Sequence, residues 1–212
     1  LKAALKKVEK KIKKPAFKTQ KKNIKDESSA IVEQRLQELK DVDPGNIKQY
    51  IKKMSEVANV TKKRHNQRLY ASKGAGVAAT QLILKYIAYI DLLIPCLQTL
   101  INLAFRAPDI SHHLVEQLKL PSVLEFVAHK HIESLKINNL LYLLLCNLCA
   151  GDVRRQSLIW TKLGQKLMYI AHKHRESSDI AASSTRLFGI LCDSDEIMTS
   201  MVCDGVTSIL VH

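Results

Sequence analysis

The stretch Ala-His-Lys-His-Ile-Glu-Ser at residues 128–134 returns as Ala-His-Lys-His-Arg-Glu-Ser at 171–177. Paired imidazoles are raw material for a metal site, since neutral histidine nitrogen is a common zinc ligand. The backbone decides whether they can be used. Each helical residue turns the chain by about 100°, so residues two apart point roughly 200° apart. His129 and His131, like His172 and His174, could chelate one ion only from extended chain. Cys146 and Cys149 spell C-x-x-C, yet no second pair or nearby histidine completes a zinc set. On a helix these two would share a face, as core residues do. Together with Cys96, Cys192 and Cys203 they make an odd number among apolar neighbours, the setting of reduced thiols in an intracellular protein. We expect no metal and no other cofactor. The copied heptapeptide reads instead as one corner of a repeating unit.

Lysine offers a different chemistry, the neutralisation of phosphate. Residues 1–73 hold 21 Lys/Arg against 8 Asp/Glu, and residues 74–212 hold 12 of each, so the whole excess of +13 lies in the first third. Such asymmetry suggests a polyanionic partner for one end. Residues 1–25 carry 11 lysines and one acid, Glu9; among them are Lys6, Lys7, Lys10, Lys11, Lys13, Lys14, Lys18, Lys21, Lys22 and Lys25. Lys62, Lys63, Arg64 and Arg68 form a second cluster. Lysines on a phosphate backbone release counterions, which gives tight, sequence-blind binding at low salt. The arm has one aromatic, Phe17, and no RRM, KH or zinc-finger pattern, so base-specific readout is not expected. RNA or a ribonucleoprotein is the expected partner. Two other readings stay open. Leu1, Leu5, Val8 and Ile12 make a narrow apolar stripe that could meet an anionic membrane, an acidic partner or the body itself. A solvated charge run needs no partner at all.

Nothing resembles an active site. Lys-Gly-Ala-Gly-Val at 73–77 lacks the length and the trailing Lys-Ser/Thr of a phosphate-binding loop, and no Cys, His and acid fall in a catalytic order. We expect no enzyme and no small-molecule substrate. No apolar run reaches the roughly 18–20 residues needed to cross a bilayer, and no apolar stretch follows the basic start as in a secretory signal. The expected location is the cytoplasm, with the nucleus open. The chain starts at Leu1 and stops in mid-pattern, so we read it as a piece of something longer.

These residues must be carried by helices. Gly and Pro are scarce, at 7 and 5, and long Leu/Ile/Ala-rich stretches at helical spacing dominate. Helices are predicted at 1–14, at 29–40 and from Asn46, where Ile47, Tyr50, Ile51, Met54, Val57 and Ala58 share a face. A shift of 43 places then superposes residues 120–134 on 163–177, so that Leu120 meets Leu163, Leu124 meets Leu167 and Phe126 meets Tyr169. A helical period of 40–47 residues is the signature of HEAT or armadillo arrays. Three long apolar helices, at 91–105, 136–150 and 179–192, end alike, with Asn102, Asn147 and Gly189 spaced 45 and 42 apart. Each is followed by a short helix, a Pro or Gly turn and a medium helix, with Gly74 and Gly76 at the first such junction.

This pattern resembles the armadillo repeat family over residues 62–212. The implied fold is all-α: an armadillo-like right-handed helical solenoid preceded by a basic helical N-terminal arm. Its parts would be an arm at 1–28, linker helices at 29–61, and repeats at 62–105, 109–150, 152–192 and, in part, 195–212. The resemblance implies a protein partner in a groove lined by third helices, with Asn102 and Asn147 holding a peptide backbone. An equal alternative is that the two amides only tie one repeat's loops to the next. The import-receptor branch places Trp four residues before the Asn, where this chain has Gln98, Leu143 and Thr185, so lysine-binding pockets are not implied. The order of lysine-rich helix, linker helices and degenerate repeats is also similar to the family of the S-phase cyclin A-associated endoplasmic-reticulum protein. That layout implies association with RNA or the ribosome.

Overall fold

The structure, a computed structural model, describes residues 26–204. Among them are eleven α-helices and one π-helical turn, with no strand. The all-helical expectation holds. In chain order the helices are α1 (Ser29–Lys40), α2 (Ile47–Val60), α3 (Arg64–Ser72), α4 (Ala75–Lys85), α5 (Ile90–Ala104) and α6 (Pro108–His112). The π turn (His113–Gln117) precedes α7 (Leu120–Lys130), α8 (Leu135–Cys149), α9 (Val153–Lys173), α10 (Ser178–Leu191) and α11 (Asp195–Cys203). The predicted helix at 1–14 and the last stretch at 205–212 lie outside the described residues.

Two compact units share the chain, with the division inside α7 between Val123 and Leu124. In the first unit α2 lies along α5, α4 packs on α5, and α3 touches both α4 and α5. Polar side chains start the helices: Ser28 caps α1 by accepting from the Ile31 N–H, and Asn46 caps α2 by accepting from the Gln49 N–H. The core is then set by helical periodicity: Tyr50, Met54, Val57 and Ala58 are buried on α2, and Leu93, Leu97 and Leu100 are buried on α5, the helix it lies along. Tyr50 and Tyr86 close the turn before α2, their hydroxyls donating to the carbonyls of Val42 (3.0 Å) and Pro44 (2.7 Å). The helices read above as linkers lie within this unit. Glu27 anchors their start. Its carboxylate accepts from the Tyr70 hydroxyl at 2.7 Å and pairs with Arg35 at 3.1 Å. Burial and this carboxylate raise the Tyr70 pKa above its ordinary value.

The second unit repeats the central pairing. α8 lies along α10 as α2 lies along α5, and in both pairs the helices begin 43 residues apart. Tyr142 on α8 donates its hydroxyl to the Leu167 carbonyl and meets Phe188 edge-on, with ring centroids 6.4 Å apart. α9 departs from expectation. The Gly turn predicted near Gly164, between a short and a medium helix, is absent, and one helix of 21 residues runs through it. The reason is Trp160, whose ring lies over Gly164 one turn later. A methyl group placed on Gly164 would fall 2.8 Å from Trp160 Cδ2. Gly164 therefore makes room for an indole. At Gly74 the expected junction is present: φ is +88°, in the left-handed region, and α3 ends as α4 begins.

Gly164→Ala sets two effects against each other. Helix propensity would gain about 1 kcal/mol. Displacing a buried ring costs about 1–3 kcal/mol. We expect net destabilisation, with altered emission from Trp160, the only tryptophan. In a Trp160→Leu background the same change should turn stabilising. Denaturant unfolding of the four proteins checks this, and a stabilised single variant would remove the packing role.

Candidate functional site

The long helices end on carbonyls that no helical N–H can reach. Asn102, the thirteenth residue of α5, donates from Nδ2 to the Ala58 carbonyl at 2.7 Å and to Thr61 Oγ1 at 3.3 Å. Its amide thereby fastens α5 to the end of α2. Gln67 reaches from α3 to the end of α5, donating to the carbonyls of Leu103 (3.0 Å) and Phe105 (2.7 Å). In the second unit Arg155 and Gln156 do the same for α8. Arg155 donates to Leu148 at 2.7 Å and Ala150 at 3.2 Å, and Gln156 to Cys149 at 3.1 Å. Arg155 is buried and also pairs with Asp152, so it is a structural cation.

The expected groove residues fall in both units. Gln98 and Asn102 belong to the first, where Gln98 is exposed and Asn102 half-buried. Leu143, Asn147 and Thr185 belong to the second; Leu143 and Asn147 are half-buried. Thr185 is 6% exposed and so packs inside the unit instead of facing a groove. One member of the series escaped the sequence reading. Asn59 is the thirteenth residue of α2, as Asn102 is of α5 and Asn147 of α8. Its sequence, Ala-Asn-Val, lacks the long Leu-rich run that marks the others, so the signal was register alone. Asn59 is exposed and accepts from Lys62 Nζ at 3.0 Å.

The two His-Lys-His blocks sort into outer and inner histidines. His129 and His172 are exposed, whereas His131 is buried and the His174 Nε2 lies 2.7 Å from the Ile132 carbonyl. The second block thus fastens onto the loop that follows the first. Ion pairs align the two copies further: Lys166 with Glu125 at 3.1 Å, and Lys173 with Glu133. The Glu133 contact raises the Lys173 pKa. Phe126 and Tyr169, matched in the sequence, are 61% and 53% exposed. Among the described residues no three His, Cys, Asp or Glu side chains converge as a metal would require. Cys146 and Cys149 are buried in α8; burial pushes the Cys146 thiol up to about 12 and raises those of Cys149 and Cys96 too.

Of the basic residues, Lys6, Lys7, Lys10, Lys11, Lys13, Lys14, Lys18, Lys21, Lys22 and Lys25 lie outside the described residues. The second cluster is divided. Lys63 pairs with Asp26 at 2.9 Å and Lys62 bonds Asn59, while Arg64 and Arg68 are exposed on one side of α3 with no acidic partner among the described residues. Arg68 lines a cleft of about 510 Å³ with Ala71, Ser72, Gly74, Asp109, Ile110 and His113. No described helix is long and apolar enough to cross a membrane. No family model, curated protein or solved structure matches the chain.

Two expectations follow. Asn102→Ala removes the shorter of the two side-chain contacts to the Ala58 carbonyl, leaving Thr61 Oγ1 at 3.2 Å, and should cost about 1 kcal/mol. Asn59→Ala, at the same register but exposed, should stay within about 0.5 kcal/mol; unfolding midpoints compare them. A thiol reagent at pH 8 should modify one of the five cysteines in the native protein, the exposed Cys203, and the other four only after denaturation. Mass spectrometry of the labelled chain reads this directly.

Proposed function

We propose that the chain is a non-enzymatic adaptor: an armadillo-like right-handed solenoid body that presents a protein-binding surface, with a basic N-terminal arm that binds an RNA-containing assembly such as the ribosome. The observation that carries the RNA half is the division of charge, with the entire +13 excess confined to residues 1–73. Arg64 and Arg68, lacking acidic partners on α3, extend that basic surface onto the folded part. Structured RNA relieves the mutual repulsion of so many lysines, and it does so through phosphates without reading bases.

The armadillo half is supported by recurrence. The same long-helix pairing appears once in each unit, with Asn at the thirteenth position of α2, α5 and α8. Solenoids of this kind work by surface contact. Gln98, exposed one turn before Asn102, is the residue of the expected set best placed to touch a partner. Asn102 contributes by holding the surface in shape.

RNA affinity should fall roughly 10³–10⁵-fold between 50 and 200 mM salt if about 6–10 phosphates are engaged. Lysine-to-glutamine changes across residues 1–25 should flatten that dependence while thermal unfolding stays unchanged. The titration is run with structured RNA and, in parallel, with vesicles containing phosphatidylserine. Binding to vesicles alone would replace RNA by an anionic membrane. Binding to neither would leave the lysines as a solvated segment.

A further inference from the structure

From the cleft beside α3 we infer an RNA-selective nucleotide site, in which Arg68 holds a backbone phosphate and Asp109 accepts the ribose 2′-hydroxyl. This rests on the RNA reading above and gives it a point of attachment on the folded body. The cleft measures about 510 Å³, within the usual range for a ligand pocket. Its lining is part apolar, from Ala71, Gly74 and Ile110, and its polar part carries both signs. Arg68 and His113 supply donors, Ser72 a hydroxyl and Asp109 a carboxylate.

Arg68 has no ion pair among the described residues, nor does Asp109, although both line the same cavity. Other charges of this unit are paired, as in Lys63–Asp26, Lys53–Glu38 and Arg35–Glu27, or stand alone on the surface, as Lys48, Lys52 and Asp91 do. A cation and an anion that share a cleft without closing on each other can meet a ligand carrying both an anion and a hydrogen-bond donor. A ribonucleotide has that pattern. Its phosphate accepts from guanidinium in a paired geometry. Its 2′-hydroxyl donates to carboxylate, and DNA lacks that group. Arg64 lies one helical turn before Arg68, about 6 Å along the axis. It is therefore placed to meet an adjacent phosphate of the same strand.

An acidic peptide would also satisfy Arg68 and His113, and Asp109 repels its carboxylates and RNA phosphates alike. RNA is favoured because each of its nucleotides carries a hydroxyl donor for Asp109 beside the phosphate for Arg68. The lysine arm supplies affinity without distinguishing RNA from DNA, whereas the cleft supplies the distinction.

The test measures binding of the full chain to a labelled RNA hairpin with a single-stranded tail, to the DNA of the same sequence and to polyglutamate, all at 100 mM salt. Wild type should prefer RNA. Arg68→Gln should weaken RNA binding about ten-fold, the size expected for one charge-assisted contact. Arg68→Lys should fall between. Asp109→Leu, which cannot accept the 2′-hydroxyl, should erase the preference by bringing RNA and DNA affinities together. Thermal unfolding of each variant controls for folding. If Arg68→Gln and Asp109→Leu bind both strands as wild type does, while glutamines in the arm abolish binding, the cleft proposal is overturned and the arm reading stands. Tighter binding of polyglutamate than of RNA, or no binding of RNA by wild type, overturns both.

Discussion

A helix that ends inside a protein leaves its last carbonyls without partners, and each of these is costly if it is also kept from water. In this chain α2, α5 and α8 meet that problem in the same way: a side chain from another helix or from a following turn reaches in and donates. Asn102 and Thr61 serve the end of α2, Gln67 the end of α5, and Arg155 with Gln156 the end of α8. These polar contacts fix which helix lies beside which, where apolar packing alone would tolerate sliding. Burial supplies most of the stabilising free energy, but it is non-directional. The carbonyl-directed donors supply the direction.

This gives the repeated asparagine a physical meaning that does not need a ligand. At α5 its amide is committed to α2. At α2 itself, the exposed Asn59 meets Lys62 only. The same register position thus serves as a fastener where another helix end adjoins it and as an ordinary surface residue where none does. A series that looks uniform in sequence is not uniform in role.

Much of this was legible beforehand, for identifiable reasons. Ser29–Lys40 was predicted to the residue because a polar cap precedes it and an Asp-Val-Asp-Pro-Gly turn follows. The three long helices were displaced by a single position, since their apolar periodicity leaves little freedom. The length of α9 was not legible. A glycine in a helical pattern signals a break, and only the packed structure reveals that Trp160 occupies the space a side chain would have taken. The partnership of α2 with α5 was hidden as well, because α2 is rich in lysine and its apolar face is narrow. The irregular spacing of the repeats has a local counterpart in the π-helical turn at His113–Gln117, where the chain accommodates an extra residue per turn. Both histidine blocks fall at helix ends, as expected, but their split into outward and inward rings depended on where the helix ended. The candidate site residues were the least legible, since ionic partners such as Asp26 for Lys63 come from distant segments and decide which charges stay unpaired.

The uninterrupted α9 also has mechanical meaning. A 21-residue helix is a rod about 32 Å long. Where the first unit turns at Gly74 between two short helices, the second runs straight through Gly164, with an indole packed against its middle. Continuous hydrogen bonding along α9 ties Val153 to Lys173 as one element, so a displacement at one end is carried to the other.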